Sequence, residues 1–318
     1  MSKYRNTLPQ LRDAPFITDG GLETTLIYHD GIDLPHFAAF VLLDRPEHEA
    51  ILERYFARYA EIGRAHGVGV VLESATWRAN PDWAAKLGYG AEALARIHRQ
   101  SIAHLLGIRA RFETPGTPIV VSGNLGPRGD GYRVDARMSV DEARAYHAAQ
   151  IDTFAATDAD MVAAFTMTYP EEAIGITQAA KARAMPVAIS FTVETDGRLP
   201  CGERLGDAIE RTDRETDGYP VYYMINCAHP THFESELADD APWRHRIHGV
   251  RANASTKSHA QLDESTEIDI GDPRALGEDY RRLRARLPGL AVVGGCCGTD
   301  DRHLDAICRA MHAAAAPA

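Results

Sequence analysis

The chain has 318 residues, 45% of them hydrophobic and 25% charged, a balance that can bury a substantial core. Its formal net charge of -11 argues against a general role on nucleic acid or on an anionic membrane surface. The opening MSKYRNTLPQLRDAPF has no apolar h-region, and no apolar run approaches the ~20 residues that a membrane helix needs, so a soluble, cytoplasmic protein is expected.

In chain order, β-rich runs are predicted at 16–20, 68–74, 118–124, 161–167, 186–193, 221–227, 247–254 and 290–296. Helical periodicity fills most of the intervals, at 47–66, 92–112, 139–157, 171–184 and 273–286. Ser139 with Glu142 fits a capping box, and Pro46 with Glu47 places a proline and an acid in a first turn. Repeated strand–helix units with nearly continuous apolar strands predict a parallel sheet covered on both faces. Their number and the chain length favour a single (β/α)8 TIM barrel domain over 1–318. The competing open doubly wound sheet wants a glycine-rich phosphate turn after its first strand, and Asp19-Gly20-Gly21-Leu22-Glu23 is not GxGxxG. No linker or break in composition divides the chain, and the Ala-rich end from Met311 is expected to fray.

A parallel barrel gathers the C-terminal ends of its strands around one mouth, where its active site lies. Asp19, Glu73, Asn124, Thr166, Thr168, Glu194, Asn226, Cys227, Asn253, Cys296 and Cys297 all fall at such ends. Strands end in polar turns anyway, which accounts for part of this series but not for three cysteines. Five cysteines without a secretory signal are not expected to build a disulfide framework, and the Asn253-Ala254-Ser255 sequon reads as a chance match.

Cys227 closes one strand and the adjacent Cys296 and Cys297 close another, so a barrel brings three thiols to one mouth. Zinc takes thiolate, imidazole or carboxylate ligands tetrahedrally, and three protein ligands leave the open position of a catalytic site. Gly294, Gly295 and Gly298 let the backbone turn so that adjacent thiolates face one ion. The competing assignment for a cysteine is a small buried side chain, which is the reading for Cys308; Cys201 reads as an exposed bystander. His229 and His303 compete for ligand duty on spacing, against ordinary cap or surface roles. A substrate thiol on a tris-thiolate zinc is deprotonated yet remains nucleophilic at neutral pH, which points to S-alkylation.

At these residues the chain resembles the homocysteine S-methyltransferase family, over nearly its whole length. The most specific matches are Asp19-Gly20-Gly21 with Thr25 and Leu26, the Asn226-Cys227 pair, and Gly294-Gly295-Cys296-Cys297. Weaker ones are Asn124 to Pro127, His147 with Gln150, and Pro170 to Ala173. The resemblance implies a (β/α)8 barrel, Zn2+ on Cys227, Cys296 and Cys297, and homocysteine sulfur as the fourth ligand. In members acting on homocysteine a glutamate of the fourth strand binds the amino group, and Phe165 stands at that position here. Arg78 replaces a usual Gln or Tyr, and Gly298 replaces the Arg or Lys that usually follows GGCC.

The resulting expectation is a zinc-dependent S-methyltransferase that moves a methyl group from a small donor to a bound thiol such as homocysteine, forming methionine. Asp19, Asn226 and Glu194 are its candidate catalytic residues; Gly20, Gly21, Glu23, Thr76, Arg78, Asn124 and Phe165 are its candidate substrate contacts. Trp77, Phe165 and Tyr169 offer aromatic faces to a cationic donor, although core packing serves each of them equally well. A zinc or cysteine hydrolase assisted by His229, a barrel acting on a different thiol, and a zinc-binding barrel without turnover remain as alternatives. No nucleic acid or membrane partner is expected. An enclosed ammonium needs a counter-charge, so with Phe165 in place either another acid takes over or the acceptor lacks a free amine. Glu194 and Glu23 are the first substitutes and Glu73 stands behind them; the expectation is that homocysteine is a poor acceptor. An inward Arg78 would favour an anionic substrate.

Overall fold

The computed structural model describes residues 2–12, 14–135, 137–237 and 240–313. Eight parallel strands close into a barrel in chain order: β1 Phe16–Ile17, β2 Gly69–Glu73, β3 Ile119–Leu125, β4 Met161–Met167, β5 Val187–Phe191, β6 Tyr222–Asn226, β7 Ile247–Ala252 and β8 Val292–Gly295. Closure is made where Phe16 of β1 lies opposite Val292 of β8, which removes the open-sheet alternative. Helices Pro46–His66, Ala91–Phe112, Val140–Ala155, Pro170–Lys181, Leu205–Thr216, Pro273–Arg286 and Asp301–Ala313 pack around the outside. Pro46 and Glu47 open the first of these, and the Ser139–Glu142 capping box opens the third.

The helix Leu205–Thr216 was not anticipated from periodicity. Its sequence is polar, and its buried face is built from Leu205, Ala208 and Ile209 together with Thr212 and Thr216. Each threonine hides its hydroxyl by donating to the carbonyl one turn back, Ala208 O and Thr212 O, at 2.7 Å. After β6, among the described residues, only the short turn Pro230–Phe233 and the 3-10 segment Pro242–Arg246 stand where a long helix is usual.

Alternate strand residues point into the barrel. Phe16, Val71, Val120, Met161, Ala163, Phe165, Ala188, Tyr222, Met224 and Val292 form that interior cluster, joined by Leu8. The N-terminal segment seals this end: Gln10 Nε2 donates to the Met161 sulfur, Tyr4 N to Asp160, and Arg5 to the carbonyls of Ala155, Thr157 and Ala159. A second, larger cluster lies between sheet and helices. With one end plugged by apolar side chains, the room for a ligand is at the C-terminal ends of the strands. Of the Ala-rich end, residues 314–318 lie outside the described residues. Among the described residues no helix is long and apolar enough to cross a membrane.

Candidate metal centre and adjoining cavity

β6 ends at Asn226 and β8 at Gly295, so Cys227 and the Cys296–Cys297 pair leave the same rim. β7 sets their spacing, because Cys227 N donates to Arg251 O at 3.1 Å and Cys296 N to Ala252 O at 2.8 Å. Cys227 takes a left-handed backbone, φ 54°, which is uncommon for a side chain other than glycine and recurs at functional sites. The three Sγ atoms lie within 4.8 Å of one another. Zinc–sulfur bonds of ~2.3 Å at tetrahedral angles put such atoms about 3.8 Å apart, so the donor set and its spread fit one zinc ion.

Cys227 and Cys296 are joined as a disulfide, with Cα atoms 5.4 Å apart, and Cys297 is a free thiol. One link among five cysteines is not a disulfide framework: barrel closure brings together two strand ends that are 69 residues apart in the chain, and Cys201, Cys297 and Cys308 stay free. The bond must be reduced before all three sulfurs can hold a metal. Burial pushes the Cys297 thiol above its ordinary pKa, against the pull of the Tyr132 hydroxyl 3.4 Å away. Cys308 is buried in the last helix as expected, whereas Cys201 packs partly against the core instead of lying fully exposed. His229 caps the Pro230–Phe233 turn, and His303 is held by Asp300 and the Ile270 carbonyl, so neither joins the sulfurs. Asn253 is buried with its amide on the Cys227 carbonyl, which makes the sequon inaccessible.

A cavity of about 250 Å³ adjoins the cysteines. Of the residues singled out from sequence, Asp19, Gly20, Gly21, Glu23, Arg78, Asn124, Phe165 and Asn226 line it, with Glu73, Trp77, Tyr132 and Arg251. Two candidates are corrected. Thr76 is fully buried and donates to the Asn124 carbonyl at 2.7 Å, so it braces the wall from behind. Glu194 turns away to His259 Nδ1 at 3.1 Å and does not line the cavity. Trp77 and Phe165 face the cavity, but Tyr169 does not; its hydroxyl accepts from Met138 N.

The lining charges are distributed unequally. Asp19 is buried against Arg251, Oδ1 to Nη1 2.6 Å, and accepts from the Tyr55 hydroxyl at 3.0 Å. Arg251 also donates from Nη2 to Gly20 O and from Nε to Gly295 O, both at 3.1 Å. It thereby clamps the loop after β1 to the end of β8, next to Cys296. Arg78 points inward, its guanidinium 4.1 Å from the Trp77 ring and 3.9 Å from the Trp83 ring, with Nη1 donating to Gly129 O. Asp130 lies 3.8 Å from Arg78 Nη2. Burial pushes both Glu23 and Glu73 up to about 7.

Asn226 is a positioning residue here: Oδ1 accepts from Thr166 N and Ser190 Oγ, and Nδ2 donates to Thr166 Oγ1, at 2.6–2.9 Å. These bonds hold Thr166 in a left-handed backbone, φ 63°. A Cβ on Gly21 would meet the Cys296 carbonyl at 2.5 Å, so the β1 loop approaches the metal strand only as glycine. Gly298 has φ 79° and a Cβ there would meet Asp269 O at 2.5 Å, so this position admits no Arg or Lys. Of the weaker motif residues, His147 and Glu172 form a buried strut, in which His147 Nε2 pairs with Glu172 at 2.9 Å and Glu172 accepts from Arg128 N at 2.8 Å. That strut supports the loop bearing Tyr132, whose ring stacks on His259 at 4.1 Å.

Arg251 and Tyr132 were not singled out from sequence. Arg251 carried a usable signal, a charge inside an otherwise apolar parallel strand. Tyr132 sits in a loop and carried none.

A family model described as homocysteine S-methyltransferase matches residues 16–311. Crystal structures of the homocysteine methyltransferase MmuM from Escherichia coli share the fold at 19% sequence identity. The oxidized form has a TM-score of 0.70 over 94% of this chain and 97% of that one. The metallated form has 0.70 over 96% and 98%, and the apo form 0.64 over the same shares. No curated protein sequence matches significantly. The family match begins at the first residue of β1 and ends in the last helix, so it takes in the whole barrel. The chain is therefore a methyltransferase and belongs to the homocysteine S-methyltransferase family.

Proposed function

We propose that the protein is a zinc-dependent S-methyltransferase that transfers a methyl group from a small donor to a thiol of the homocysteine class. The observation that carries this reading is the convergence of the Cys227, Cys296 and Cys297 sulfurs beside a ligand-sized cavity. Zinc bound by the three reduced cysteines would supply a position at which an acceptor thiol is held deprotonated. The chain's own residues do the rest. Arg251 fixes Asp19 and Gly20 against β8, Asn226 fixes the wall beside Cys227, and Trp77 and Phe165 present aromatic faces suited to a cationic methyl donor. With homocysteine as acceptor the product is methionine. The need for reduced thiols suits a reducing compartment such as the cytoplasm. MmuM, a structural relative, has been solved in metallated and oxidized forms, the two states chemically open to this cysteine trio. The hydrolase reading lacks its base, because His229 does not line the cavity.

The test is metal analysis joined to a methylation screen. Reduced protein is expected to bind about one zinc per chain through three sulfurs. Cys297→Ala should lose most of that metal while staying folded, and Cys308→Ala should keep it. X-ray absorption showing fewer than three sulfur ligands, or turnover that needs no thiol acceptor, refutes the proposal.

A further inference from the structure

Val71 and Glu73 alternate into the barrel from β2, as Ala163 and Phe165 do from β4. Glu73 is only 3% exposed, lines the cavity that the cysteines border, and its Oε2 accepts no hydrogen bond from any described residue. A buried carboxylate oxygen without a donor is unfavourable, and the side of Glu73 that is open is the ligand's side. The other acids are paired, displaced or open to solvent. Asp19 is paired with Arg251, Asp130 lies beside Arg78, Asp263 lies beside Arg133, Asp269 accepts from Ser255 Oγ, and Glu194 is outside the cavity on His259. Glu267 is exposed and Glu23 partly exposed. The Arg251 guanidinium lies 4.9 Å from the Phe165 ring with its donors on Asp19, Gly20 and Gly295, so it neither replaces an acid nor offers a free anion site.

Resting on the thiol-acceptor reading above, we propose that Glu73 binds the amino group of the acceptor, supplying from β2 the counter-charge that Phe165 withholds on β4. The acceptor class is then an aminothiol, and the expectation that homocysteine is a poor acceptor gives way. An ammonium brings three donors and a full positive charge to a carboxylate whose Oε2 has no donor and whose nearest cation, Arg251, is already paired with Asp19, a charge-assisted pairing stronger than a neutral one.

Calorimetric titration of the zinc-loaded full chain with homocysteine and with 4-sulfanylbutanoate, the same skeleton without the amine, decides the matter. The sulfur end is common to both probes, so the ratio of affinities reports the amine end alone. Wild type should bind homocysteine at least ~10-fold more tightly. Glu73→Gln should bring the ratio to about 1 and leave 4-sulfanylbutanoate within ~3-fold, while Glu73→Asp keeps part of the preference. A wild type that prefers the desamino thiol overturns the proposal without any variant. So does an unchanged ratio in Glu73→Gln, or a collapse in Glu23→Gln instead. Those results leave the methyltransferase reading standing; failure of both thiols to bind the zinc-loaded wild type overturns that reading and this one together.

Discussion

If Glu73 is kept for a ligand, the unliganded fold carries an unfavourable group, and removing its charge should stabilise the protein. Burial raises the Glu73 pKa from 4.5 to about 7, against the pull of Ser122 and Arg251. The folded state therefore holds this proton more tightly than the unfolded chain does. The stability contributed by the group is whole below pH 4.5, declines between 4.5 and about 7, and is gone above that. At ~1.36 kcal/mol per pH unit the gap is worth about 3 kcal/mol, and the side chain is buried enough that solvent screening takes little from it. Glu73→Gln keeps the shape and cannot ionise. Compared as chelated, reduced proteins, the variant should exceed wild type in unfolding free energy by about 3 kcal/mol at pH 8, and by under about 1 kcal/mol at pH 5. Urea unfolding at a series of pH values measures both differences. A variant less stable than wild type at pH 8, or a difference that does not change with pH, would show that the carboxylate is satisfied in the unliganded fold.

Two further outcomes follow from buried groups. Arg251→Met leaves the Asp19 carboxylate buried without its cation, a loss of ~3–5 kcal/mol, and should lower the melting temperature; adding Asp19→Asn should recover part of it, and an unchanged melting curve in the single variant refutes the clamp. Burial depresses His98 to about 4 while its Nε2 donates to Ala79 O, so its stabilisation is present above pH 6.5 and lost as pH falls towards 4, and His98→Gln should unfold at lower pH than wild type by circular dichroism.

The barrel was legible because each strand is a short apolar run between amphipathic helices, a pattern that parallel closure demands. The predicted strand at 161–167 is β4 to the residue, and the others differ at their ends, where turns compete with the ladder. The Leu205–Thr216 helix escaped notice because threonines that satisfy themselves on i−4 carbonyls can be buried while reading as polar. Periodicity of apolar residues records only side chains that need no partner.

The same distinction separates the parts of the site that sequence could place from those it could not. A cysteine at a strand end is placed by the strand alone, so Cys227, Cys296 and Cys297 came together as soon as the barrel was drawn. The acids are different, because their roles depend on which cation reaches them first. Asp19, Glu73 and Glu194 all stand at strand ends and are equivalent on paper. In the fold Arg251 comes from β7 to take Asp19, and His259 takes Glu194. No partner arrives for Glu73 Oε2. The residue ranked last from sequence is thus the acid left open to a ligand. What decided it was an arginine from another strand, a long-range pairing that local pattern does not encode.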